Sequence, residues 1–201
     1  MSKFFKNRRY LQNGFTLTEL MVVIGIMTIM NLLIFANYPE FSQRLALKRT
    51  SEDIALIVRQ AQAYSLGIKR PLSGGKEYTG FGVHFDKTTK EKQKSLILFA
   101  DDTDGVNKEG YDDGESFQEY KINTGDVVSD LKTCPAKGDC GSSVNELDIF
   151  YPRANPMATI TADDGSGGNS SYAKITIQSP KKKTRIIEVW ISGQISVKEG
   201  P

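Results

Sequence analysis

The chain is poor in the residues that build metal and catalytic sites. Its 201 residues include one histidine, His84, and two cysteines, Cys134 and Cys140. A structural zinc ion takes about four ligands, so this supply argues against a zinc site. No neighbouring serine, cysteine or acid completes a credible catalytic triad with His84. We expect an exposed histidine on a strand, and no resident metal or other cofactor.

Signals for nucleotide chemistry are also missing. The chain has no internal repeat, and its Gly-rich stretch DDGSGGNSS lacks the lysine of a phosphate-binding loop. A membrane-anchored enzyme therefore has no supporting site, and we expect a protein that is not an enzyme.

Acidic residues are absent from residues 1–14, which carry four basic ones: Lys3, Lys6, Arg8 and Arg9. The whole chain has a net charge of +2, so without these four it would carry −2. A general affinity for nucleic acid is therefore not indicated. The basic residues lie just before an apolar segment, and the positive-inside rule then keeps the N-terminus in the cytoplasm and the later residues outside it.

Residues 15–36 form the long apolar run of this chain, and Glu19 is its one charged residue. As a helix it would be about 33 Å long, enough for a hydrocarbon core of about 30 Å. An ionised carboxylate in hydrocarbon is costly and therefore marks a pairing or a function. A secretory signal would end in small residues after the apolar run, but here the small residue, Gly14, precedes it. An uncleaved anchor with Glu19 near the interface is one interpretation.

A second interpretation also accounts for the stretch NGFTLTELMVVIGIM. It resembles the class III signal of type IV pilins and type II secretion pseudopilins. In that family prepilin peptidase cleaves after the glycine and N-methylates the new first residue. The resemblance implies cleavage after Gly14 and methylation of Phe15. It also places Glu19 at the family's assembly carboxylate, which would pair with the N-terminal amine of a neighbouring subunit and offset its desolvation cost.

Cys134 and Cys140 lie in CPAKGDC, where Pro135 and Gly138 permit a turn. In an oxidising compartment they can form a disulfide that closes a short loop. Two unpaired buried thiols are the alternative, which the turn residues make the weaker one.

Helical periodicity continues beyond the apolar run. One stripe is expected to pack on a sheet; it holds Leu47, Ile54, Ile57, Val58, Ala61 and Tyr64. A second, weaker stripe of Leu45, Leu56 and Ala63 could contact other subunits. Gly67 is a suitable C-terminal stop. We therefore divide the chain into a leader (1–14), a transmembrane and filament-core helix (15–38), its amphipathic continuation (39–68) and an extracytoplasmic β-rich domain (69–201).

Short β-branched and aromatic runs separated by turn residues follow residue 78 and predict seven to nine strands. With the helix they indicate an α+β fold, a long N-terminal helix packed on an antiparallel sheet or sandwich. The order YTGFGVHFD, LILFADDTDGVNKEGYDDGE, LDIFYPRANPMATITADD and TRIIEVWISGQISV resembles the GspH/FimT group of H-type pseudopilins and minor pilins. Members of that group are pilin-like filament subunits.

Two charged stretches can each be interpreted either as a binding site or as a solvated turn. Residues 101–119 hold eight acids, and Asp102, Asp104 and Asp112 could bind calcium, although the EF-hand spacing is absent. A solvated hairpin tip is the favoured alternative. A basic turn could bind DNA through phosphates, as in some minor pilins; it holds Lys181, Lys182, Lys183 and Arg185. It lacks interleaved aromatic residues, so a solvated turn is favoured there as well.

The sequence thus predicts a minor pilin or H-type pseudopilin, with a DNA-binding minor pilin for DNA uptake as the alternative. The expected partners are prepilin peptidase, other pilins, the inner-membrane assembly platform and the lipid bilayer. The expected location is the inner membrane, with the C-terminal domain periplasmic or extracellular, and then a pilus or pseudopilus.

Overall fold

The computed structural model describes residues 14–67, 78–102, 110–136, 139–163 and 170–200, without the side chains of residues 36, 37 and 102. The chain divides into two compact units, Met1–Ser42 and Gln43–Pro201, and one helix runs through both. The domain boundaries given above stay a prediction.

Helix α1 spans Leu17–Leu66 and includes Pro39. Its C-terminal end follows the sequence signal, because the Gly67 N–H donates to the Ala63 carbonyl 2.8 Å away. A single turn of 3₁₀ helix covers Lys92–Lys94. The nine strands are β1 (Tyr78–Asp86), β2 (Ser95–Asp102), β3 (Ser116–Lys121), β4 (Val127–Cys134), β5 (Glu146–Pro152), β6 (Thr159–Ala162), β7 (Tyr172–Gln178), β8 (Thr184–Trp190) and β9 (Ile195–Glu199).

The strands form two antiparallel sheets within the second unit. One sheet has five strands in the order β3-β2-β1-β5-β6, and the other has four in the order β4-β7-β8-β9. Both sheets contribute alternate apolar residues to one core, for example Val83, Ile149 and Ile175. The predicted α+β fold, a long helix packed on antiparallel sheets, is confirmed.

The helical stripe packs on the sheets as its periodicity predicts. Leu47, Ile54, Val58 and Ala61 are buried, and Ile57 and Tyr64 are partly buried against the same core. Polar contacts complete this packing, because Ser65 Oγ donates to the Tyr151 carbonyl at 2.7 Å and accepts the Phe81 N–H at 3.0 Å. The second stripe faces outward, with Leu56 58% exposed.

Candidate functional site

The segment around the predicted cleavage site lies just before α1. Gly14, Phe15 and Thr16 are outside the helix, and Phe15 is 85% exposed. Thr16 caps the helix: its Oγ1 accepts the Glu19 N–H at 3.2 Å, and its carbonyl accepts the Leu20 N–H at 3.2 Å. The Gly14–Phe15 bond therefore lies in non-helical backbone.

Glu19 lies in the first turn of α1, where the helix dipole favours a negative charge. Thr16 and Glu19 also match the Thr-x-x-Glu spacing of a capping box, although the structure shows the threonine half of it. The Glu19 carboxylate accepts no hydrogen bond from any residue that the structure describes. It is thus available to a donor from outside the chain.

Two polar side chains deeper in the apolar run bond to carbonyls of their own helix. Thr28 Oγ1 donates to the Ile24 carbonyl at 2.8 Å, and Asn31 Nδ2 donates to the Met27 carbonyl at 2.8 Å. Such bonds let polar groups enter hydrocarbon at little cost. Glu19 differs from both, because its carboxylate has no hydrogen bond to a described residue of its own helix.

The apolar side chains of this segment are not covered by the part of the chain that the structure describes. The helix is long and apolar enough to cross a membrane, and none of that stretch is buried. The large apolar side chains between Leu17 and Phe35 are at least 43% exposed. Such a face requires lipid or other apolar helices around it.

Cys134 and Cys140 form a disulfide at the end of β4, as predicted. Cys140 Sγ lies 3.7 Å from the Tyr172 hydroxyl, and the Tyr172 ring stacks on Trp190 at a centroid distance of 4.4 Å. The disulfide thus closes a loop beside the outer aromatic pair of the four-stranded sheet.

The structure describes the predicted calcium ligands only in part, whereas it describes all four residues of the predicted basic turn. Of the predicted calcium ligands, Asp104 and the side chain of Asp102 lie outside the described residues. Within residues 14–67, 78–102, 110–136, 139–163 and 170–200, no group of three histidine, cysteine or acidic side chains could hold a metal ion. Lys181, Lys182 and Lys183 are exposed at the β7–β8 turn. Arg185 lies apart on β8, with Nη2 3.5 Å from Glu199 Oε1.

The prediction of an exposed His84 is wrong. The residue is 8% exposed, and its Nδ1 lies 2.6 Å from Asp148 Oδ1 on the neighbouring strand β5. Its ring packs on Tyr111 at a centroid distance of 4.6 Å. Asp148 is in turn oriented by the Tyr111 N–H, which donates to Oδ2 at 3.1 Å.

A second aromatic layer explains the burial of His84. Phe99 and Phe150 lie on the outer face of the five-stranded sheet and stack at 6.3 Å, and Tyr111 contacts Phe99 edge-on at 5.7 Å. They fit there because Gly80 and Gly82 have no side chains: a Cβ on Gly82 would lie 2.6 Å from Phe99 Cε1. Glycines alternating with His84 along β1 are the sequence signal for this layer.

A polar cavity of about 560 Å³ adjoins His84 on this face. At its wall Asp86 pairs with Lys92, whose ammonium donates to Oδ2, while the Thr88 N–H donates to Oδ1 at 2.7 Å. Burial opposes ionisation of Asp86, but these donors outweigh it and hold its pKa below the ordinary value. Burial, reinforced by Asp113, raises the pKa of Tyr111.

Comparison with known proteins adds one family model. Residues 9–34 match the prokaryotic N-terminal methylation motif. This match includes Gly14, Phe15 and Glu19, and it confirms that the chain is type IV pilin-like in its N-terminal signal. None of the curated proteins compared matches the chain.

One solved structure is similar to the chain, the type IV minor pilin FimU of Pseudomonas aeruginosa (strain PAO1). The identity is 14%, the TM-score is 0.40, and the alignment covers 79% of this chain and 92% of that one. The two are too far apart for any residue role to be transferred.

Proposed function

We propose that this type IV pilin-like chain is a structural subunit of a type IV pilus-like filament, as a minor pilin or an H-type pseudopilin of type II secretion. The observation that carries the proposal is the methylation motif over residues 9–34, together with the apolar helix that overlaps it and that no described part of the chain covers. The membrane would hold this helix before assembly, and neighbouring helices would cover it afterwards.

Processing after Gly14 and N-methylation at Phe15 belong to this proposal. They are supported by the motif and by the non-helical backbone that precedes α1. The test is mass spectrometry of the N-terminal peptide from cells with and without an active prepilin peptidase. We expect methylated Phe15 as the first residue only when the peptidase is active. A chain that still begins at Met1 in its presence would refute the proposal.

Glu19 is proposed to bind the N-terminal amine of an adjacent subunit. The Glu19 carboxylate has no bond to a described residue, and Glu19 lies outside the folded outer unit, Gln43–Pro201. Glu19→Ala should therefore yield an exported, folded protein that enters filaments poorly, as measured by immunoblotting sheared filaments. Thr28→Val is the matched control, because the Thr28 hydroxyl bonds to its own helix. Normal incorporation of the Glu19 variant would contradict this role.

The proposed topology places residues 1–14 in the cytoplasm and the β-rich unit in the periplasm or outside the cell. The four basic residues of the leader and the disulfide of the outer unit support it. Protease added to spheroplasts should degrade the β-rich unit. Full protection there, with degradation only after lysis, would reverse the topology. The genes beside this one separate the two filament types, since pilus genes indicate a minor pilin and secretion genes a pseudopilin.

DNA binding is the second candidate function. It is favoured by three adjacent exposed lysines, Lys181, Lys182 and Lys183. Replacing all three by alanine should abolish a salt-sensitive gel shift with duplex DNA, whereas Lys90→Ala, another exposed lysine, should leave it unchanged. Absence of any shift with the unaltered chain would exclude this candidate.

A further inference from the structure

Each of the two sheets has two edge strands, and the edges at β4 and β6 are protected. Beside β4 the chain itself supplies a cover: the Gly141 N–H donates to the Thr133 carbonyl at 3.0 Å, and the Val144 N–H donates to the Leu131 carbonyl at 2.9 Å. Strand β6 has only four residues, and so short an edge offers little to pair with. The edges at β3 and β9 have six and five residues, and no described strand pairs with their outer side.

Strand β9 presents a row of unpaired backbone groups along its outer edge. The Gly200 N–H donates to the Thr184 carbonyl at 3.0 Å, which fixes the residues whose backbone groups point toward β8. In an antiparallel ladder such residues alternate with others whose N–H and C=O point away. On β9 these others are Ile195, Val197 and Glu199. Their backbone groups have no partner among the described residues.

Strand β3 presents a second row of this kind. The Ile122 N–H donates to the Lys94 carbonyl at 2.7 Å, so the alternation directs the backbone groups of Glu119 and Lys121 away from β2. No described residue bonds to these groups either. An open edge with such a row can accept a further strand through main-chain hydrogen bonds.

Strand β3 lies along one flank of helix α1. The Tyr120 hydroxyl donates to Asp53 Oδ2 at 3.3 Å, and the Phe117 ring contacts the Tyr64 ring edge-on at a centroid distance of 6.0 Å. The later residue of the strand thus meets the earlier residue of the helix. Strand β3 therefore runs in the direction opposite to α1.

Strand β9 is tied to α1 in the same direction. Arg185, which pairs with Glu199 in the ladder, has its Nη1 3.5 Å from Ser51 Oγ. Gly193, in the turn before β9, lies against the side-chain amide of Gln62. The end of β9 thus lies near the earlier helical residue and its start near the later one. Strand β9 therefore also runs opposite to α1.

Helical periodicity places these two edges on opposite flanks of α1. Ser51 and Gln62 lie about three turns apart and share one side of the helix, as do Asp53 and Tyr64. The second pair is displaced from the first by two positions, which is about 200° around the axis. Copies of the chain that stand side by side in one membrane, in the same orientation, can therefore bring β9 of one beside β3 of the next, with both strands running the same way.

We propose that β9 pairs with β3 of a second copy of this chain, as parallel strands. A contact between two different surfaces of identical subunits repeats without closing, which builds a filament. This proposal rests on the filament function proposed above, because the pairing requires copies of the same orientation.

The charges beside the two edges fit one register of this pairing. A parallel ladder sets a residue whose backbone groups point outward opposite one whose groups point inward. Glu119 of one copy and Lys198 of the other meet that condition, and opposite charges across strands are favourable. The Lys198 ammonium contacts Glu188 of its own copy, yet its side chain is 58% exposed and can also meet Glu119. The same register sets Lys121 opposite Gly200, so like charges do not face each other.

Cross-linking through introduced cysteines tests the pairing in cells that make the full-length chain. Two copies with different epitope tags are produced together, one with Lys198→Cys and the other with Glu119→Cys. After oxidation of membranes and of sheared filaments, we expect a disulfide-linked dimer that carries both tags. The native cysteines are already joined to each other. Met157→Cys in place of Glu119→Cys is the control, because Met157 is 52% exposed and lies away from both edges in the chain; it should give about a tenth of that dimer or less.

The two fractions separate this proposal from the filament function. A lack of mixed dimer in both fractions, or an equal yield with the Met157 variant, would overturn the strand pairing. Equal dimer from Lys198→Cys alone would mean that β9 pairs with β9, which also overturns it. Absence of the chain from sheared filaments would contradict the filament function, and the membrane fraction would then decide the pairing.

A proline at Val197 distinguishes backbone pairing from proximity alone. The Val197 N–H points away from β8, so proline there removes no bond of the folded chain but blocks an added strand. Val197→Ala is the matched control, since it loses similar packing and keeps the N–H. In the Lys198→Cys copy, proline should lower the mixed dimer at least about fivefold relative to alanine. Urea unfolding checks that both variants are folded, and equal dimer yields from the two would refute strand addition.

Discussion

His84 Nδ1 and Asp148 Oδ1 lie 2.6 Å apart, on adjacent strands and in register with each other. This bond joins the central strand of the five-stranded sheet, β1, to its neighbour β5 on the outer face, where Tyr111 covers it. On the face of this sheet that points away from α1, side chains therefore pack on one another and are partly buried, so this face is not simply a solvated surface.

Loss of the histidine should destabilise the outer unit. His84→Ala leaves Asp148 Oδ1 without its hydrogen-bond partner and removes the ring that packs on Tyr111, so we expect the free energy of unfolding to fall by about 1–3 kcal/mol. Urea unfolding of the full chain in mild detergent, followed by fluorescence of the single tryptophan, Trp190, measures it. Glu119→Gln, on an exposed part of β3, should stay within about 0.5 kcal/mol. Equal effects of the two changes would refute this role.

Asp86 should make stability depend on acid pH. Its folded pKa lies below the ordinary value of 3.8, which we take for the unfolded chain. The stability it contributes is therefore present above that value and is lost as the pH falls through the folded pKa. Unfolding free energies of Asp86→Asn should fall less steeply below about pH 4 than those of the unaltered chain. Parallel curves for the two proteins would show that the Lys92 and Thr88 donors do not favour the ionised form.

Part of this architecture follows from the sequence because short-range periodicity encodes it. The stripe through Ile54, Val58 and Ala61 places one side of α1 on the core, and alternation along β8 does the same for Ile187 and Val189. The spacing of Gly14, Phe15 and Glu19 is a local pattern as well, which the methylation motif matches. No tertiary information is required for any of these.

The environment of His84 could not be predicted in that way. Alternation states that His84 and Val83 face opposite sides of β1, but not that Tyr111 covers the outer side. That cover depends on contacts across the sheet between distant segments. The placement of Arg185 against Glu199 has the same cause, since β8 and β9 pair beyond the basic turn.

Gly82 should be intolerant of a side chain. A Cβ there would lie 2.6 Å from Phe99 Cε1 and 2.9 Å from the Ile149 carbonyl, so the aromatic layer would have to move. Gly82→Ala is expected to lower the free energy of unfolding by about 1–3 kcal/mol. At Gly141 the nearest atom would be 3.6 Å from a Cβ, an ordinary contact, so Gly141→Ala is the matched control. Retention of full stability by the Gly82 variant would argue against close packing of Phe99.

Tyr151 should be replaceable by phenylalanine without loss. The residue is fully buried, and its hydroxyl has no hydrogen-bond partner among the described residues. Tyr151→Phe should leave the unfolding free energy unchanged or raise it by about 1 kcal/mol, because an unsatisfied buried hydroxyl is costly. Burial also raises the pKa of Tyr151 above the ordinary value of 10.0, which we take for the unfolded chain. The folded protein is therefore expected to lose stability as the pH rises beyond 10.0, where the unfolded chain releases this proton first. The variant should lose less stability there, and a clear loss at neutral pH would indicate a partner for the hydroxyl.

Reduction of the disulfide should weaken the outer unit moderately. Cys134 and Cys140 are six positions apart. Closing so short a loop lowers the conformational entropy of the unfolded chain, which stabilises the folded state by about 2 kcal/mol. A reducing agent should lower the urea midpoint and change Trp190 fluorescence, since Cys140 borders the Tyr172 ring stacked on that indole. The variant with Cys134→Ala and Cys140→Ser should have the lower urea midpoint without any reductant, and adding the reductant should not change it. An unaltered midpoint after complete reduction would mean that the loop is held by its other contacts, among them the Gly141 N–H bond to the Thr133 carbonyl at 3.0 Å.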